Sequence, residues 1–214
     1  MGSEQDILHA AGELFVTRGF GRTSTRAIAE GAGLQQASVY HWFGSKDEIL
    51  LRLVLGTVVP ARRIADRLLA SDASGHVLLW ALTFADATLL HDDPQNLGVL
   101  YFDPELDGNQ FSEFHDARDS LHDAYRVLLE RTTGETASEV EIAMLVGLVE
   151  VVITYRRRTR CAIPDDTPAR VADAALTLAR VPELVSDETR AQALETLGAL
   201  ESLGPGLAVD SDRD

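Results

Sequence analysis

The sequence predicts an all-α fold, with three short N-terminal helices ahead of a larger helical domain. Apolar residues recur at spacings of three and four along most of the chain, which is the helical period. No alternating, strand-like segments or hairpin turns stand out. Glycine, proline and capping residues divide the periodic segments into separate helices. The length of 214 residues allows one or two domains, and a hydrophobic content of 45% is ample for a buried core.

The first predicted helix carries a single apolar stripe and ends before Gly19. Glycine accepts the left-handed conformation that commonly follows a helix end. Spacings of one, three and four place the stripe on one face, and its members are Ile7, Leu8, Ala11, Leu14 and Phe15. The stripe indicates one buried face.

The second predicted helix is short and begins near Thr25. Thr23 or Ser24 can accept a hydrogen bond from a free N–H group in its first turn. Gly31 and Gly33 end the helix, and the small residues inside it suit close packing. A short helix closed by glycine in this way predicts a tight turn into the next helix.

The third predicted helix runs roughly from Gln36 to Phe43, with Val39 and Phe43 facing inward because they are four residues apart. Gln and Ser can hydrogen-bond base edges, Ala can contact a thymine methyl group, and Tyr and His suit phosphate contacts. The residues on the other sides are Gln35, Gln36, Ala37, Ser38, Tyr40 and His41. Two short helices joined by a tight turn are typical of a helix-turn-helix, whose second helix enters the DNA major groove.

A fourth helix begins after Ser45, which together with Glu48 has the spacing of a capping box. Lys46 lies in the first turn of that helix, where its ammonium and the free N–H groups can face one phosphate. It is the only lysine among 19 basic residues. A solvated surface lysine is the alternative, but the local context favours the phosphate contact.

Residues 7–55 resemble the N-terminal domain of the TetR family of transcriptional regulators. The resemblance covers about a quarter of the chain and is specific, because several spaced features agree at once. The matching residues are Leu14–Phe15, Gly19–Phe20, Thr23–Ile28, Ala32–Leu34, Val39–Phe43 and Ser45–Lys46.

The resemblance implies a role in DNA binding for the matching positions. Thr25 contacts phosphate at the start of the second helix, and Arg26 stands where the tetracycline repressor has a base-reading arginine. The start of the third helix reads bases, and its later positions contact phosphate. The predicted DNA-binding residues are Thr25, Arg26, Gln35, Gln36, Ala37, Ser38, Tyr40, His41 and Lys46. Trp42 stands where the family often has His or Tyr, and we expect it to pack against the first or fourth helix.

The negative charge of the chain is unevenly distributed. The formal net charge is −15, yet residues 1–63 hold seven basic and six acidic residues, whereas residues 64–214 hold twelve basic and twenty-eight acidic. The DNA-binding end therefore lacks the acidic excess of the rest, and a basic face need not make a whole protein basic. We expect weak nonspecific DNA binding, with most of the affinity coming from specific docking of a dimer.

Helices and connectors account for the remainder of the chain, without internal repeats. Pro60 lies inside the fourth helix and should kink or split it, which would create a pivot between two domains. Thr136 and Glu139 have capping-box spacing, and Thr167 with Pro168 starts a helix. The predicted helical segments are 46–69, 75–90, 110–130, 136–155, a segment from 167 onward and 187–203, with a short apolar segment at 97–102.

Two of these helices, over 136–155 and from 167 onward, are the predicted dimer interface. Their apolar and small residues permit close approach, and a palindromic operator needs a protein with two-fold symmetry. The resemblance likewise implies that this pair forms a four-helix bundle across a two-fold axis. The predicted interface residues are Val140, Met144, Gly147, Val151, Val171, Ala175 and Leu176. The alternative is that these helices fill the core of one protomer.

An aromatic-rich set of residues in the helical domain is the predicted ligand pocket. The resemblance implies a small-molecule site there, whose occupation changes the spacing of two DNA-binding domains. Mostly apolar cavities with a few polar groups are the usual ligand sites. The predicted lining is Trp80, Phe84, Leu89, Tyr101, Phe102, Phe111, Phe114, Met144 and Tyr155. The alternative for each of them is the hydrophobic core, and the sequence does not identify the ligand.

His115, Asp119 and His122 are spaced four and three apart on one helical face. Two imidazoles and a carboxylate could hold a divalent metal there or serve an enzyme. A solvated face is favoured, because helical spacing alone often produces such triplets. We therefore predict no metal, no cofactor and no catalytic residue, and we expect the chain not to be an enzyme.

Together these features predict a dimeric, sequence-specific DNA-binding regulator, most simply a repressor released from a palindromic operator by a small-molecule effector. The alternatives are a helical-domain enzyme or metal-binding protein, and a regulator that responds to a protein partner. The predicted domains are residues 1–48 for DNA binding and 49–204 for ligand binding and dimerisation, followed by a mobile tail at 205–214.

The predicted location is cytoplasmic. The lone Cys161 allows no intramolecular disulfide, which fits a reducing compartment, and we expect its thiol to be inert. No apolar run is long enough to span a membrane, and the first residues lack a signal-peptide hydrophobic region.

Overall fold

The computed structural model describes residues 3–159 and 163–202, and every regular element in this part of the chain is a helix. The all-α fold predicted from the sequence is confirmed. The predictions for Cys161 and for a tail at 205–214 lie outside the described residues. The α-helices are α1 (Glu4–Arg18), α2 (Thr25–Gly31), α3 (Gln36–Trp42), α4 (Lys46–Leu69), α5 (Gly75–Asp92), α6 (Ser112–Thr133), α7 (Glu139–Thr159), α8 (Thr167–Leu178) and α9 (Asp187–Ser202). Short 3₁₀ helices span Leu97–Phe102, Pro104–Asp107, Asn109–Phe111 and Pro182–Leu184.

We call α1–α3 the N-terminal unit and α5–α9 the helical body, and α4 runs from one into the other. In the N-terminal unit α1 packs against α2 and α4, and α2 packs against α3. Ile7, Phe15, Ile28 and Val39 are buried at the centre of this packing. The ring of Phe20 meets that of Phe15 edge-on, with 5.1 Å between the ring centres.

Side-chain caps fix the helix starts in the N-terminal unit. Ser24 Oγ accepts a hydrogen bond from the Ala27 N–H group at 3.2 Å, in agreement with the cap predicted for α2. A reciprocal capping box between Ser3 and Asp6 starts α1, and it was not predicted. The predicted stop after α1 is confirmed, because Gly19 lies at φ 87°, a conformation that L side chains rarely adopt.

α4 is a continuous helix of 24 residues, and Pro60 lies inside it without splitting it. Ser45 Oγ accepts from the Glu48 N–H group at 3.1 Å, whereas the Glu48 carboxylate accepts from Gly44, one residue earlier than in a standard capping box. Because proline has no N–H group, the carbonyl of Gly56 lacks the donor that residue 60 would supply in an ordinary helix.

α7 begins later than predicted because Ser138, rather than Thr136, caps it. Ser138 Oγ accepts from the Glu141 N–H group at 3.3 Å, and the Glu141 carboxylate accepts from the Ser138 N–H group at 2.9 Å. Both pairs have the same spacing in the sequence, so the spacing alone could not choose between them. The later start leaves Ala137 buried against the core.

α5 is the central helix of the helical body and packs against α4, α6, α7, α8 and α9. Residues 77–82 are each at most 2% exposed, which means that every side of the helix is covered there. A helix that is apolar all round belongs in the core. Within the two described stretches of the chain, no helix is both long enough and apolar enough to cross a membrane.

The segment Asp93–Leu97, which we call the bridging turn, connects α5 to the first 3₁₀ helix and contacts α1. Gln95 Nε2 donates to the main-chain carbonyl of His9 at 2.8 Å. A Cβ atom added at Gly12 would come within 2.8 Å of the Gln95 and Leu97 side chains, so glycine permits this close approach. The bridging turn therefore joins the N-terminal unit to the helical body.

Arg156 of α7 holds the other side of the bridging turn. Its guanidinium donates to the carbonyls of Leu90 and His91, each at 3.3 Å, and to that of Asp93 at 2.5 Å. These carbonyls lie at the C-terminal end of α5, where the backbone acceptors have no partner within the helix. A cation is also favourable at that end of a helix. Arg156 thus serves as a long-range cap for α5.

Candidate nucleic-acid interface

The solvent-facing side of α3 presents the residues that the sequence predicts for DNA contact. Val39 and Phe43 are buried, as predicted, and they orient the helix. Ser38 is partly buried, and the remaining α3-face residues are exposed: Gln35, Gln36, Ala37, Tyr40 and His41. The side chains offer two amides, a hydroxyl, an imidazole and a methyl group, which together can contact base edges and phosphates.

Hydrogen bonds between α2 and α3 hold this surface together. Thr25 Oγ1 accepts from Gln36 Nε2 at 3.0 Å and lies 3.1 Å from the Tyr40 hydroxyl. Thr25 is the first residue of α2, so the network links the start of one helix to the exposed face of the next. The three side chains are therefore linked to one another by hydrogen bonds on the exposed surface.

Arg26 lies beside this network and is tied only to its own helix. Its Nε donates to Glu30 Oε1 at 3.0 Å, and both side chains are largely exposed. Exposed pairs at this spacing contribute roughly 0.3–0.5 kcal/mol. An anion or a guanine edge can therefore compete with Glu30 for the guanidinium.

Lys46 lies at the start of α4 and points back to the turn between α1 and α2. Its Nζ donates to the main-chain carbonyls of Phe20 at 2.8 Å and of Thr23 at 2.9 Å. An ammonium has three donors, so one N–H remains for a phosphate. The predicted phosphate contact stays a prediction, but the structure gives Lys46 a second role in holding that turn.

Trp42 is more exposed than its predicted packing against α1 or α4 implies. Its side chain is 48% exposed, and its ring lies 5.9 Å from that of His41 in an edge-on arrangement. The inward positions of this short helix are already taken by Val39 and Phe43, which leaves Trp42 on the outer side.

The predicted ligand-pocket residues do not surround one cavity. Trp80, Phe111 and Phe114 are fully buried, and Trp80 stacks on Phe84 with 5.0 Å between the ring centres. Leu89 lines a different cleft, beside α1 and α4. The remaining members divide between a small buried cavity, which Tyr101 lines, and the outer surface, where Phe102, Met144 and Tyr155 are about half exposed. Most of the set is therefore core or surface.

A buried polar cluster lies beside that cavity of about 30 Å³, between α4, α5, α6 and α7. The Tyr125 hydroxyl donates to Asp86 Oδ2 at 2.9 Å, and Arg118 pairs with Glu150 at 2.7 Å. Burial raises the pKa of Asp86 to about 6, although the Tyr125 hydrogen bond opposes this change. Burial also raises the pKa of Glu150, against the effect of Arg118. A cavity of this size holds about one water molecule.

The predicted dimer-interface residues fall into two groups. Val140, Met144 and Val151 of α7 are 63%, 53% and 44% exposed, and Gly147 lies on the same exposed face. We call this face the α7 stripe. The second group is different: the α8 residues are buried within the protomer, where α8 packs against α5, and these residues are Val171, Ala175 and Leu176. These three side chains are covered inside the protomer, in agreement with the alternative that α8 fills its core, and a dimer contact through α8 stays a prediction.

His115, Asp119 and His122 do not form a metal site. His115 Nε2 lies 2.8 Å from the carbonyl of Leu106, which orients its ring away from such a role. Burial and the neighbouring Arg118 lower the pKa of His122. Within residues 3–159 and 163–202 no group of three His, Cys, Asp or Glu side chains has an arrangement that could hold a metal ion.

The N-terminal part of the chain is similar to proteins of known function. The family model described as bacterial regulatory proteins, tetR family, matches residues 7–53. The HTH-type transcriptional repressor KstR2 of Mycobacterium tuberculosis is 41% identical over 51 residues, which are 24% of this chain and 26% of that protein. The match therefore spans about a quarter of the length of these curated relatives.

Solved structures extend the similarity to most of the chain. AmtR of Mycobacterium smegmatis is 38% identical, covers 90% of this chain and 92% of its own, and has a TM-score of 0.81. PfmR of Thermus thermophilus, a TetR family transcriptional regulator, is 22% identical over 81% of this chain and 97% of its own, with a TM-score of 0.66. AibR, solved with isovaleryl coenzyme A and operator DNA, is 17% identical over 83% and 97%, with a TM-score of 0.63. The last two show the fold alone.

Proposed function

Because the chain belongs to the TetR family of bacterial regulatory proteins, we propose that it is a homodimeric repressor whose hold on a palindromic operator responds to an effector. Family membership makes it a DNA-binding transcriptional regulator. The relatives are regulators rather than enzymes, which agrees with the prediction that this chain is not an enzyme. Repression, dimerisation and effector control are the parts that we propose.

The observation that carries the proposal is the network of Thr25, Gln36 and Tyr40. It links three side chains of α2 and α3, and side chains that are already ordered lose less entropy when they bind. Gln36 can read a base edge and Tyr40 can contact phosphate, while Thr25 holds both. Arg26 extends the same surface from α2. This arrangement and the family resemblance support the proposed residue roles.

The α7 stripe supports the proposed dimer. Val140, Met144 and Val151 expose apolar surface at helical spacing, and Gly147 lets a second helix approach closely. Water-exposed apolar faces of this kind are typical of oligomer interfaces. A two-fold dimer joined through α7 would supply the two α3 helices that a two-fold symmetric operator requires.

The proposal of effector control is supported by the division of the fold into an N-terminal unit and a helical body joined by α4 and the bridging turn. A molecule that binds one arrangement of these parts better than another shifts the balance between them. AibR, which shares the fold, was solved with both isovaleryl coenzyme A and operator DNA. We place the protein in the cytoplasm, because a bacterial regulator of transcription works where the chromosome is.

Selection of bound duplexes from random or genomic DNA tests the proposal. The purified protein is used at near-physiological salt, because the affinity for DNA depends steeply on salt. We expect a two-fold symmetric motif whose half-sites are separated by about one helical turn or a multiple of it. A folded dimer that enriches no sequence would contradict the proposal of a repressor that binds DNA without its effector.

A further inference from the structure

An open cleft of about 530 Å³ lies where the N-terminal unit meets the helical body. Its walls come from α1, α4, the end of α5, the bridging turn and the start of α6. Sites for small molecules are commonly 300–1,000 Å³. The cleft shares no lining residue with the cavity beside Asp86, so it is a separate feature of the fold. We call it the interdomain cleft.

The α4 wall of the interdomain cleft is apolar in the middle and basic at its ends. Arg52, Gly56, Val59 and Arg63 recur at spacings of four, three and four, which puts them on one face of the helix. Gly56 leaves open space, because a Cβ atom added there would meet no heavy atom within 4 Å. The missing N–H group of Pro60 also leaves the Gly56 carbonyl short of a donor. This wall can therefore accept a ligand that has an apolar body and polar ends.

Arg63 is the cationic side chain of the cleft that is free to bind an anion. Its side chain is exposed, and in the described part of the chain it has no ion pair and no hydrogen bond. By contrast Arg62 pairs with Asp66 and Arg52 pairs with Glu4, each at 3.1 Å. An unpaired guanidinium on the rim of a pocket is well suited to a carboxylate or a phosphate, which it can bind with two parallel hydrogen bonds.

The acidic residues of the cleft leave the Arg63 end open to an anion. Asp93 is already occupied, because its carboxylate accepts from the N–H groups of Gln95 and Leu97. Glu113 is exposed on the α6 side, and it lies beyond the 4 Å limit of an ion pair with Arg63. An incoming anion therefore meets a guanidinium at one end without a neutralising carboxylate in contact with it.

We propose that the interdomain cleft binds a small amphipathic anion, with its carboxylate or phosphate on Arg63 and its aliphatic body against Leu55, Val59, Leu89 and Leu97. Burial of an aliphatic chain on such residues contributes roughly 25 cal/mol per Å² of apolar surface. The bidentate contact with Arg63 then fixes the orientation of the ligand. The aromatic pocket predicted from the sequence is not needed for this site.

The position of the cleft gives its occupant access to both parts of the molecule. Leu8 and His9 of α1 line one side, and Gln95 and Leu97 of the bridging turn line another. The Gln95–His9 hydrogen bond that joins these sides lies at the edge of the cleft. A ligand held between them changes the spacing of the N-terminal unit relative to α5, provided that it binds the two arrangements unequally. The effect of the ligand on DNA binding rests on the proposed function. The binding of the ligand to the cleft does not.

The first experiment measures binding of anilinonaphthalene sulfonate, a fluorescent amphipathic anion, to the full-length protein. The variant Gly56→Leu fills the open space of the cleft, and Gly198→Leu is its control, since a Cβ atom added on α9 also meets nothing within 4 Å. We expect Gly56→Leu to weaken binding about tenfold, as the loss of roughly 1.4 kcal/mol implies, and Gly198→Leu to leave it unchanged. Equal binding by both variants would overturn the proposal.

The second experiment tests the charge on Arg63 without changing the shape of the cleft. Octanoate and octanol are titrated against the wild type, Arg63→Gln and Arg62→Gln, with displacement of the fluorescent probe as the readout. Loss of a charge-assisted hydrogen bond should weaken octanoate binding about tenfold or more in Arg63→Gln. Octanol binding by that variant, and octanoate binding by Arg62→Gln, should be unchanged. If Arg63→Gln binds octanoate as the wild type does, an anion site at Arg63 is excluded.

Operator binding without any ligand separates this proposal from the proposed function. If the protein enriches a two-fold motif but binds neither probe at the cleft, the proposed function stands and the proposed ligand site is excluded. If the protein binds octanoate through Arg63 but selects no DNA, the proposed ligand site stands and the proposed function is contradicted. The expected result is that octanoate changes operator affinity in the wild type and in Arg62→Gln, and has no such effect in Arg63→Gln.

Discussion

The ammonium nitrogen of Lys46 lies 3.9 Å from the centre of the Phe20 ring and donates to the main-chain carbonyl of the same residue at 2.8 Å. A second hydrogen bond, to the Thr23 carbonyl, closes the tie between the start of α4 and the turn that precedes α2. The turn in question places Ser24 and Thr25 at the start of α2. Lys46 therefore supports, from behind, the surface that we propose contacts DNA.

Replacement of this lysine separates its two roles. Lys46→Ala should lower the free energy of unfolding by roughly 2 kcal/mol, because it removes charge-assisted hydrogen bonds and a cation–π contact. Arg22→Ala is the control, since it removes a charge from the same exposed turn without removing a hydrogen bond between α4 and that turn. Urea unfolding measures the stability. If Lys46 also binds phosphate, the salt dependence of DNA binding should flatten by about one counterion; an unchanged slope would leave only the structural role.

The α3 surface should discriminate between operators through Gln36 and Arg26. Gln36→Ala and Arg26→Ala should each reduce discrimination between the selected operator and a base-substituted one by roughly 1–3 kcal/mol. Gln192→Ala on α9 is a matched control and should leave both affinities unchanged. Competition binding at fixed salt measures the difference. Equal losses on both duplexes would assign the residue to phosphate contact or to support of Thr25.

The α7 stripe should control the oligomeric state. Met144→Glu introduces a charge into an apolar face that two protomers would bury, so we expect a monomer in analytical ultracentrifugation and much weaker operator binding. Leu194→Glu on α9 is the control, because Leu194 is 47% exposed, similar to Met144 at 53%. A dimer that survives Met144→Glu and dissociates with Leu194→Glu would place the interface on α9.

The stability of the protein should fall as the pH rises through the pKa of Asp86. Burial raises this pKa from 3.8 to about 6, so the folded state binds a proton more tightly than the unfolded state does. The resulting stabilisation is fully present below pH 3.8 and is lost by pH 7. It amounts to on the order of 3 kcal/mol. Asp86→Asn keeps an acceptor for Tyr125 and cannot ionise.

Urea unfolding of the wild type and of Asp86→Asn at pH 5 and pH 8 checks this linkage at one protein concentration. The variant should gain stability relative to the wild type as the pH rises. A difference between the two proteins that does not change with pH would mean that Asp86 ionises in the folded protein as it does in water. Glu150 also raises the pKa of Asp86, so the comparison reports the titration of this coupled pair of carboxyls.

Substitution by glycine should stabilise the protein at one exposed arginine and destabilise it at another. Arg180 follows α8 at φ 61°, which glycine adopts more easily than arginine does. Arg180→Gly should therefore stabilise the protein by roughly 0.5–1 kcal/mol through relief of backbone strain. Loss of the exposed ion pair with Glu141 should offset only a small part of this gain. Arg170→Gly lies within α8 and should destabilise it by about 1 kcal/mol. Thermal unfolding of both variants measures the signs; a loss of stability in Arg180→Gly would show that its pair with Glu141 outweighs the strain.

The helices of the N-terminal unit were predictable because their signals are local. Ser24 caps α2, Gly19 ends α1, and Val39 with Phe43 faces the core, as the spacing of these residues indicates. Trp42 is more exposed than its predicted packing implies, because a helix of seven residues has room for few inward positions. Val39 and Phe43 occupy the inward positions, which the sequence of one short helix does not reveal.

The sites of the helical body were less predictable because they depend on how helices pack in three dimensions. Apolar residues of α7 and α8 look alike in sequence, yet α8 covers α5 inside the protomer and Met144 of α7 faces outward. The aromatic residues were predicted to line one pocket, but Trp80 is core and Phe102 is surface. The interdomain cleft escaped prediction because its walls come from segments far apart in sequence, from Gln5 of α1 to Glu113 of α6.

Arg156 has a consequence for the order in which the chain folds. The carbonyls at the end of α5 accept hydrogen bonds from Arg156, which is 63 to 66 residues further along the sequence. During synthesis α1 and α5 leave the ribosome well before α7, so the bridging turn lacks its long-range cap at that time. We therefore expect the N-terminal unit to fold early but to dock late, once the arginine of α7 has closed the end of α5.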